Sequence, residues 1–243
     1  MRWVGVDGCR GGWVAVHWDG RRVGAAFHPE LAALLIELGD AERVFLDVPI
    51  GLPAGDRSVA RTADRLARNE LAQLASAASS VFNPPSRTML ETWRRTGPTP
   101  ELLAEFLRRG LSLQGWHILP KIDAADRAIH PDDQSRILEA HPEWAYRAIA
   151  EHGGHSIAGK RTSAGRRDRE SLIDERVRGW PGVAELRRTC RPAQPDDILD
   201  AAVLAWLASR ADARPVPERV ERDPRGLRME IWGLPVESPA DRR

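Results

Sequence analysis

The chain has 243 residues, enough to bury a full core, and its 36 basic and 35 acidic side chains leave a net charge of +1. That balance removes any whole-protein electrostatic argument for a nucleic-acid partner, so a basic surface must be local. Two cysteines, Cys9 and Cys190, supply neither a CxxC pair nor a disulfide framework, which argues against zinc held by cysteine clusters and suits a reducing compartment.

No apolar run approaches the roughly 20 residues that a bilayer span needs. The opening MRWVGVDG lacks the basic and apolar regions of a leader, so a soluble, cytoplasmic protein without a membrane partner is expected. Arginine far outnumbers lysine, a bias that a GC-rich genome produces without functional demand.

In chain order, residues 2–6 read as a short buried strand, 8–12 as a Gly-rich turn and 13–18 as a second, alternating strand. Asp19-Gly20 is a tight-turn dipeptide, and 22–28 completes an antiparallel meander. A helix over 29–38 stops at Gly39, and 44–48 is a compact apolar strand. Helical patterns follow over 57–78, 86–95, 100–109 and 119–129, then a short strand over 136–140. Residues 153–169, rich in Gly, Lys and Arg, read as a loop. Pro195 opens a last helix to about 211, and a strand over 227–231 precedes a Pro-rich tail. The expected organisation is a single domain over 1–235, with a helical insertion near 86–130 and a flexible tail over 236–243. Three hairpin-linked strands, a helix and then a strand make the opening of a ribonuclease-H-like α/β fold, with a mixed central sheet flanked by helices.

Carboxylates carry the chemical signal. Asp7 stands near the end of the first strand with little bulk behind it, and Asp47 ends the strand at 44–48 in the same way. On neighbouring parallel strands the two would meet at one sheet edge, where like charges are costly without a cation between them. In Asp196-Asp197-Ile198-Leu199-Asp200, the second and third acids share a helix face, while Asp196 suits an N-cap. Glu139 and Glu143 flank His141-Pro142 after the strand at 136–140. Each has a plain structural reading too: a turn cap for Asp7, dipole complementation for the helix acids, a solvated turn for the glutamates. Hard oxygen donors without paired cysteines or an HExxH motif favour Mg2+ or Mn2+ over zinc, as in two-metal phosphodiester hydrolysis.

The motifs Gly5-Val6-Asp7-Gly8-Cys9-Arg10-Gly11-Gly12-Trp13, Asp47-Val48-Pro49-Ile50-Gly51-Leu52-Pro53, Val81-Phe82-Asn83-Pro84-Pro85-Ser86-Arg87, Glu139-Ala140-His141-Pro142-Glu143 and Asp196-Asp197-Ile198-Leu199-Asp200-Ala201 occur in that order. With them the chain resembles the ribonuclease-H-like nuclease family catalogued as domain of unknown function four hundred and twenty-nine. The resemblance implies a ribonuclease-H-like fold and a metal-dependent nuclease whose activity is itself an inference. It matches Asp7 to the first-strand aspartate and Asp197 with Asp200 to the C-terminal helix pair. That pair is also similar to the last acidic motif of Holliday-junction resolvases. For the middle carboxylate, Asp47 fits by strand order and Glu139 competes.

The catalytic candidates are therefore Asp7, Asp47, Glu139, Asp197 and Asp200, with Asp7, Asp47, Glu139 and Asp200 as metal ligands. Arg87, Lys121 and Lys160 are candidate phosphate contacts, each in or beside a motif-bearing loop. The leading expectation is a Mg2+- or Mn2+-dependent nuclease or phosphodiesterase acting on nucleic acid or nucleotide. A phosphotransferase or ATPase of the related actin-like fold and a non-catalytic binding module are the alternatives. The oligomeric state is open, a homodimer included.

Overall fold

Glycine and aspartate turn chemistry shapes the N-terminal meander. In the computed structural model, which describes residues 1–72, 80–153, 157, 158 and 162–234, β1 (Trp3–Cys9) pairs antiparallel with β2 (Gly12–Trp18), and β2 with β3 (Val23–His28). Only Arg10 and Gly11 lie between the first two strands, so the turn is shorter than the glycine-rich 8–12 suggests, and Gly11 takes the left-handed φ of 79° that it requires. In the second turn the Asp19 carboxylate accepts from the N–H of Arg21 at 2.8 Å and of Arg22 at 2.7 Å.

The remaining elements, in order, are α1 (Leu31–Glu37), β4 (Arg43–Leu46), α2 (Thr62–Ala72), α3 (Arg87–Thr96), α4 (Pro100–Arg108), α5 (Leu113–Ala128), β5 (Ile137–Glu139), α6 (Pro142–Gly153), α7 (Ser163–Arg176), α8 (Val183–Leu186), α9 (Pro195–Ala208), β6 (Arg214–Arg222) and β7 (Arg228–Gly233). The chain divides into two compact units. The first comprises Met1–Asp47, Arg136–Pro215 and Trp232–Arg243; the second, which holds the expected helical insertion, comprises Val48–Ser135 and Val216–Ile231. The C-terminal tail at 236–243 lies outside the described residues.

The first unit is α/β. Its five-stranded mixed sheet runs β3-β2-β1-β4-β5, with β4 parallel to both β1 and β5, and helices flank it. In the second unit α2 to α5 bury apolar side chains, among them Leu71, Met89, Leu102, Phe106, Leu119 and Ile122. Trp116 lies edge-on to Phe106 at 5.9 Å between ring centroids, a packing contact rather than an exposed stacking platform. Among the described residues no helix is long and apolar enough to cross a membrane.

Departures from the sequence pattern have local causes. Residues 163–176 form α7 instead of a loop: Thr162 caps it by accepting from the Gly165 N–H at 2.9 Å, but its charged SAGRRDRESLIDER shows little apolar periodicity. Strand β6, RPVPERVER, is mostly exposed and carries two prolines, so it does not read as a strand. Pro120 sits inside α5, which starts at Leu113, six residues before the expected start at 119. Helix α2 covers Thr62–Ala72 of the expected 57–78, of which 73–79 lie outside the described residues.

The centre of the first unit is α9, whose residues from Ile198 to Ala208 are all buried. It crosses β1, β2 and β4 and packs against α6, α7 and α8. A helix apolar on every side must be covered on every side. Its closest approach to the sheet is at Gly5, where an added Cβ would lie 2.0 Å from the Ala201 carbonyl oxygen, 2.5 Å from the Ala205 nitrogen and 2.6 Å from the Leu204 Cβ. Backbone atoms cannot step aside for a methyl group as a flexible side-chain tip can. Replacing Gly5 with Ala is therefore expected to destabilise the chain by at least about 3 kcal/mol, at the upper end of overpacking effects, or to prevent folding. Urea denaturation checks this, with Gly55→Ala as a control: Gly55 has φ 95° but nothing within 4 Å, so only backbone strain is added.

Candidate functional site

Strand register decides which acids share a face. Val6 pairs with Leu46, and the Asp47 N–H donates to the Val6 carbonyl at 3.0 Å, so Asp47 stands beside Asp7, one step beyond the last paired residues. Alternation puts Asp7 on the face of Gly5, and Asp47 on the face of Phe45. That is the α9 side, because Gly5 meets the α9 backbone and Phe45 belongs to the apolar cluster around α9. Adjacent parallel strands lie about 4.8 Å apart, which brings the two carboxylates into neighbouring positions.

Glu139 is placed differently. It pairs with Leu46 and lies between Leu138 and Ala140, both in the α9 cluster, so alternation directs its side chain to the opposite face. The two rivals for the middle position are thus separated by the sheet: Asp47 shares the Asp7 face and Glu139, itself buried, does not.

Helix α9 runs antiparallel to β1. Ala201 and Ala205 lie over Gly5, while Pro192, upstream of α9, lies near Gly11 after the end of β1. The acidic first turns of α9 therefore face the end of β1 that carries Asp7. Asp200, next to Ala201, is 3% exposed and Asp7 is 8% exposed. Asp197 serves the helix start: its carboxylate accepts from the Gln194 N–H at 2.7 Å, closing a capping box in which Gln194 is the N-cap. The N-cap role expected of Asp196 thus falls to Gln194, and Asp196 instead pairs with Arg166 at 2.9 Å.

Residues outside the sequence candidates build the wall beside Asp200. The Tyr146 hydroxyl on α6 donates to the Leu199 carbonyl at 2.8 Å. Arg169 Nη2 on α7 donates to both oxygens of the Glu143 carboxylate, at 3.0 and 2.9 Å, and the guanidinium lies over the Tyr146 ring, 5.2 Å from its centroid. Burial pushes the Tyr146 hydroxyl well above the usual tyrosine range; the Asp200 charge adds to this, and Arg169 opposes it. His141 caps α6 through its carbonyl, which accepts from the N–H groups of Trp144 and Ala145, and its ring Nδ1 is buried without a hydrogen-bond partner. Glu143 was visible in the sequence; its partner Arg169, 26 positions on, carried no local signal.

Among the described residues no three His, Cys, Asp or Glu side chains are gathered closely enough to hold a metal ion. Both cysteines are buried thiols, and burial pushes the Cys190 thiol up.

Arg87 and Lys121 belong to the second unit, and Lys160 lies outside the described residues. Arg87 is buried and bridges Asp126, at 2.6 Å, and Asp223. Asp223 also accepts from the N–H groups of Leu52, Arg225 and Leu227, so Arg87 ties together the loop after residue 48, α5 and the β6–β7 turn. Burial alone would raise the Asp126 carboxyl, but hydrogen bonds from Arg87 and Arg94, helped by the charge of Arg225, outweigh it and hold the group below the usual carboxylate range.

Two stability effects are expected. A depressed carboxyl contributes stability that is present above its unfolded pKa, about 3.9, and is lost as pH falls through the folded value. The urea midpoint should drop below about pH 4, with a shallower drop in Asp126→Asn. At α9, Asp197→Ala should lose about 0.5–2 kcal/mol with the capping box, and Asp196→Ala less than about 1 kcal/mol, because its ion pair is half exposed. Denaturation of the two variants at neutral pH separates them.

No curated protein and no solved structure matches the chain. The sequence model of the family described as "Protein of unknown function (DUF429)" matches residues 5–222, and the chain belongs to that family.

Proposed function

We propose that this chain is a phosphodiester hydrolase of ribonuclease-H-like architecture, acting on nucleic acid at the edge where Asp7, Asp47 and the first turns of α9 come together. The strand order β3-β2-β1-β4-β5, antiparallel through β1 and parallel beyond it, supports the fold assignment. The observation that carries the function is the position of Asp7 and Asp47 one step beyond the paired ends of β1 and β4, with buried Asp200 on the helix that covers the α9 side of the sheet.

The donor chemistry suits Mg2+ or Mn2+, since every side chain in the set offers hard carboxylate oxygen. The spacing does not complete the fit, because no three-ligand group is assembled among the described residues, and no step is derived through a metal. The chain's own part is proton management. Asp7 orients a water toward phosphorus and takes its proton as the water oxygen bonds to phosphorus and the ester P–O bond breaks, the departing ester oxygen taking a proton from solvent water. Removing such a base typically loses about 100- to 10,000-fold in rate.

The test is cleavage of labelled DNA and RNA strands with Mg2+ or Mn2+. Asp7→Asn and Asp47→Asn should each lose at least about 100-fold, while Glu139→Gln, on the other face, should stay within about tenfold of the parent rate. An undiminished rate in Asp7→Asn would refute the site. Tight ATP binding by calorimetry, with no strand cleavage, would favour phosphotransfer instead.

A further inference from the structure

Three exposed arginines stand around the acidic edge. Arg10 occupies the two-residue turn that follows β1, three positions after Asp7. Arg191 is exposed just upstream of α9, and its neighbour Pro192 lies against that turn: a Cβ built on Gly11 would sit 3.9 Å from the Pro192 Cγ. Arg166, on the first turn of α7, reaches α9 through its Nε, which donates to the Asp196 carboxylate at 2.9 Å. That pair keeps 46% of the Arg166 side chain and 35% of the Asp196 side chain exposed.

The geometry points to this arginine rim as the surface that binds the sugar-phosphate backbone of a polynucleotide on either side of the bond presented to Asp7. It rests on the hydrolase reading above for the position of the scissile bond, but not for binding itself. The near-neutral chain cannot attract a polyanion as a whole, so attraction must come from local cations, and these three sit on separate elements around one edge. Buried Arg87, by contrast, is committed to Asp126 and Asp223. A half-exposed ion pair such as Arg166 with Asp196 contributes little to stability, so a phosphate oxygen can take over the guanidinium at small loss. Guanidinium forks match phosphate geometry, and several spread along a path suit a chain of phosphates better than one mononucleotide. The central acids repel that same backbone, so the rim also confines it to one register, with only the reacting phosphodiester over the carboxylates.

The experiment is fluorescence anisotropy of a fluorescein-labelled single strand and of its duplex, titrated with full-length protein across a range of salt concentrations. Each arginine–phosphate contact contributes about −0.7 for a single strand, or about −0.9 for a duplex, to the slope of log K against log salt. Arg10→Gln, Arg166→Gln and Arg191→Gln should each flatten the slope by nearly one, and the triple variant by about two to three, equally for unrelated sequences. All three positions are on the surface, so folding is preserved, and the urea midpoint should stay close to that of the parent protein. An unaltered slope in the triple variant overturns the rim whatever the carboxylates do. Failure of the parent protein to bind either oligonucleotide also overturns it. Salt-dependent binding that the triple variant weakens, in a protein that cleaves nothing, upholds the rim and overturns the hydrolase reading.

Discussion

The contact between Gly5 and the backbone of α9 is the constraint on which the rest of the first unit depends. Any side chain at that position would push the helix off the sheet by more than packing tolerates, because the atoms it meets are a carbonyl oxygen and an amide nitrogen. With hydrogen there instead, α9 lies flush on the central strand. The first turns of α9 then lie toward the end of β1 that carries Asp7, two residues beyond Gly5, and the apolar flanks of α9 are left for α6, α7 and α8 to cover. One missing methyl group thus joins the packing of the core to the placement of the acids.

Electrostatics at this edge is a balance of like and opposite charge at short range. Asp7 and Asp47 stand at neighbouring strand ends on the α9 side, Asp200 is buried in the second turn of α9, and the positive end of that helix lies toward the same end of β1. Around them other charges are committed to structure: Asp197 closes a capping box, Glu143 is paired with Arg169, and Asp196 is held by Arg166. In the second unit the same residue types do a different job, since Arg87, Arg94 and Arg225 converge on Asp126. Arginine abundance therefore has at least two uses here, buried bracing and exposed display.

Much of this was legible in the sequence wherever a single element carried the signal. The meander and β4 read as apolar strands bounded by turn residues, α3 and α4 show helical periodicity with caps at their starts, as Ser86 and Thr99 do by accepting from the Met89 and Leu102 N–H groups, and α9 is a long apolar run opened by Pro195. Asp7 beside Asp47 followed from strand order alone. What remained hidden depended on pairing or on distant partners. The face of Glu139 is set by its register with Leu46, which a three-residue strand cannot announce. The burial of Arg87 is set by Asp223, 136 positions away, and β6 is too polar and proline-rich to read as a strand before β7 pairs with it.

The excursion between β4 and β5 has a further effect. Two neighbouring parallel strands are separated by the whole of Val48–Ser135, and the helix that covers β1 begins at Pro195. Contacts so distant in sequence make for slow folding, because loop closure precedes any packing gain. On the ribosome the meander and β4 emerge before α9, with Val14, Val16 and Phe45 facing a helix that has not yet been made. Until the last fifth of the chain arrives, that apolar surface is exposed to solvent, so the nascent protein is a natural client for chaperones and its newly made intermediate is the form most prone to aggregate.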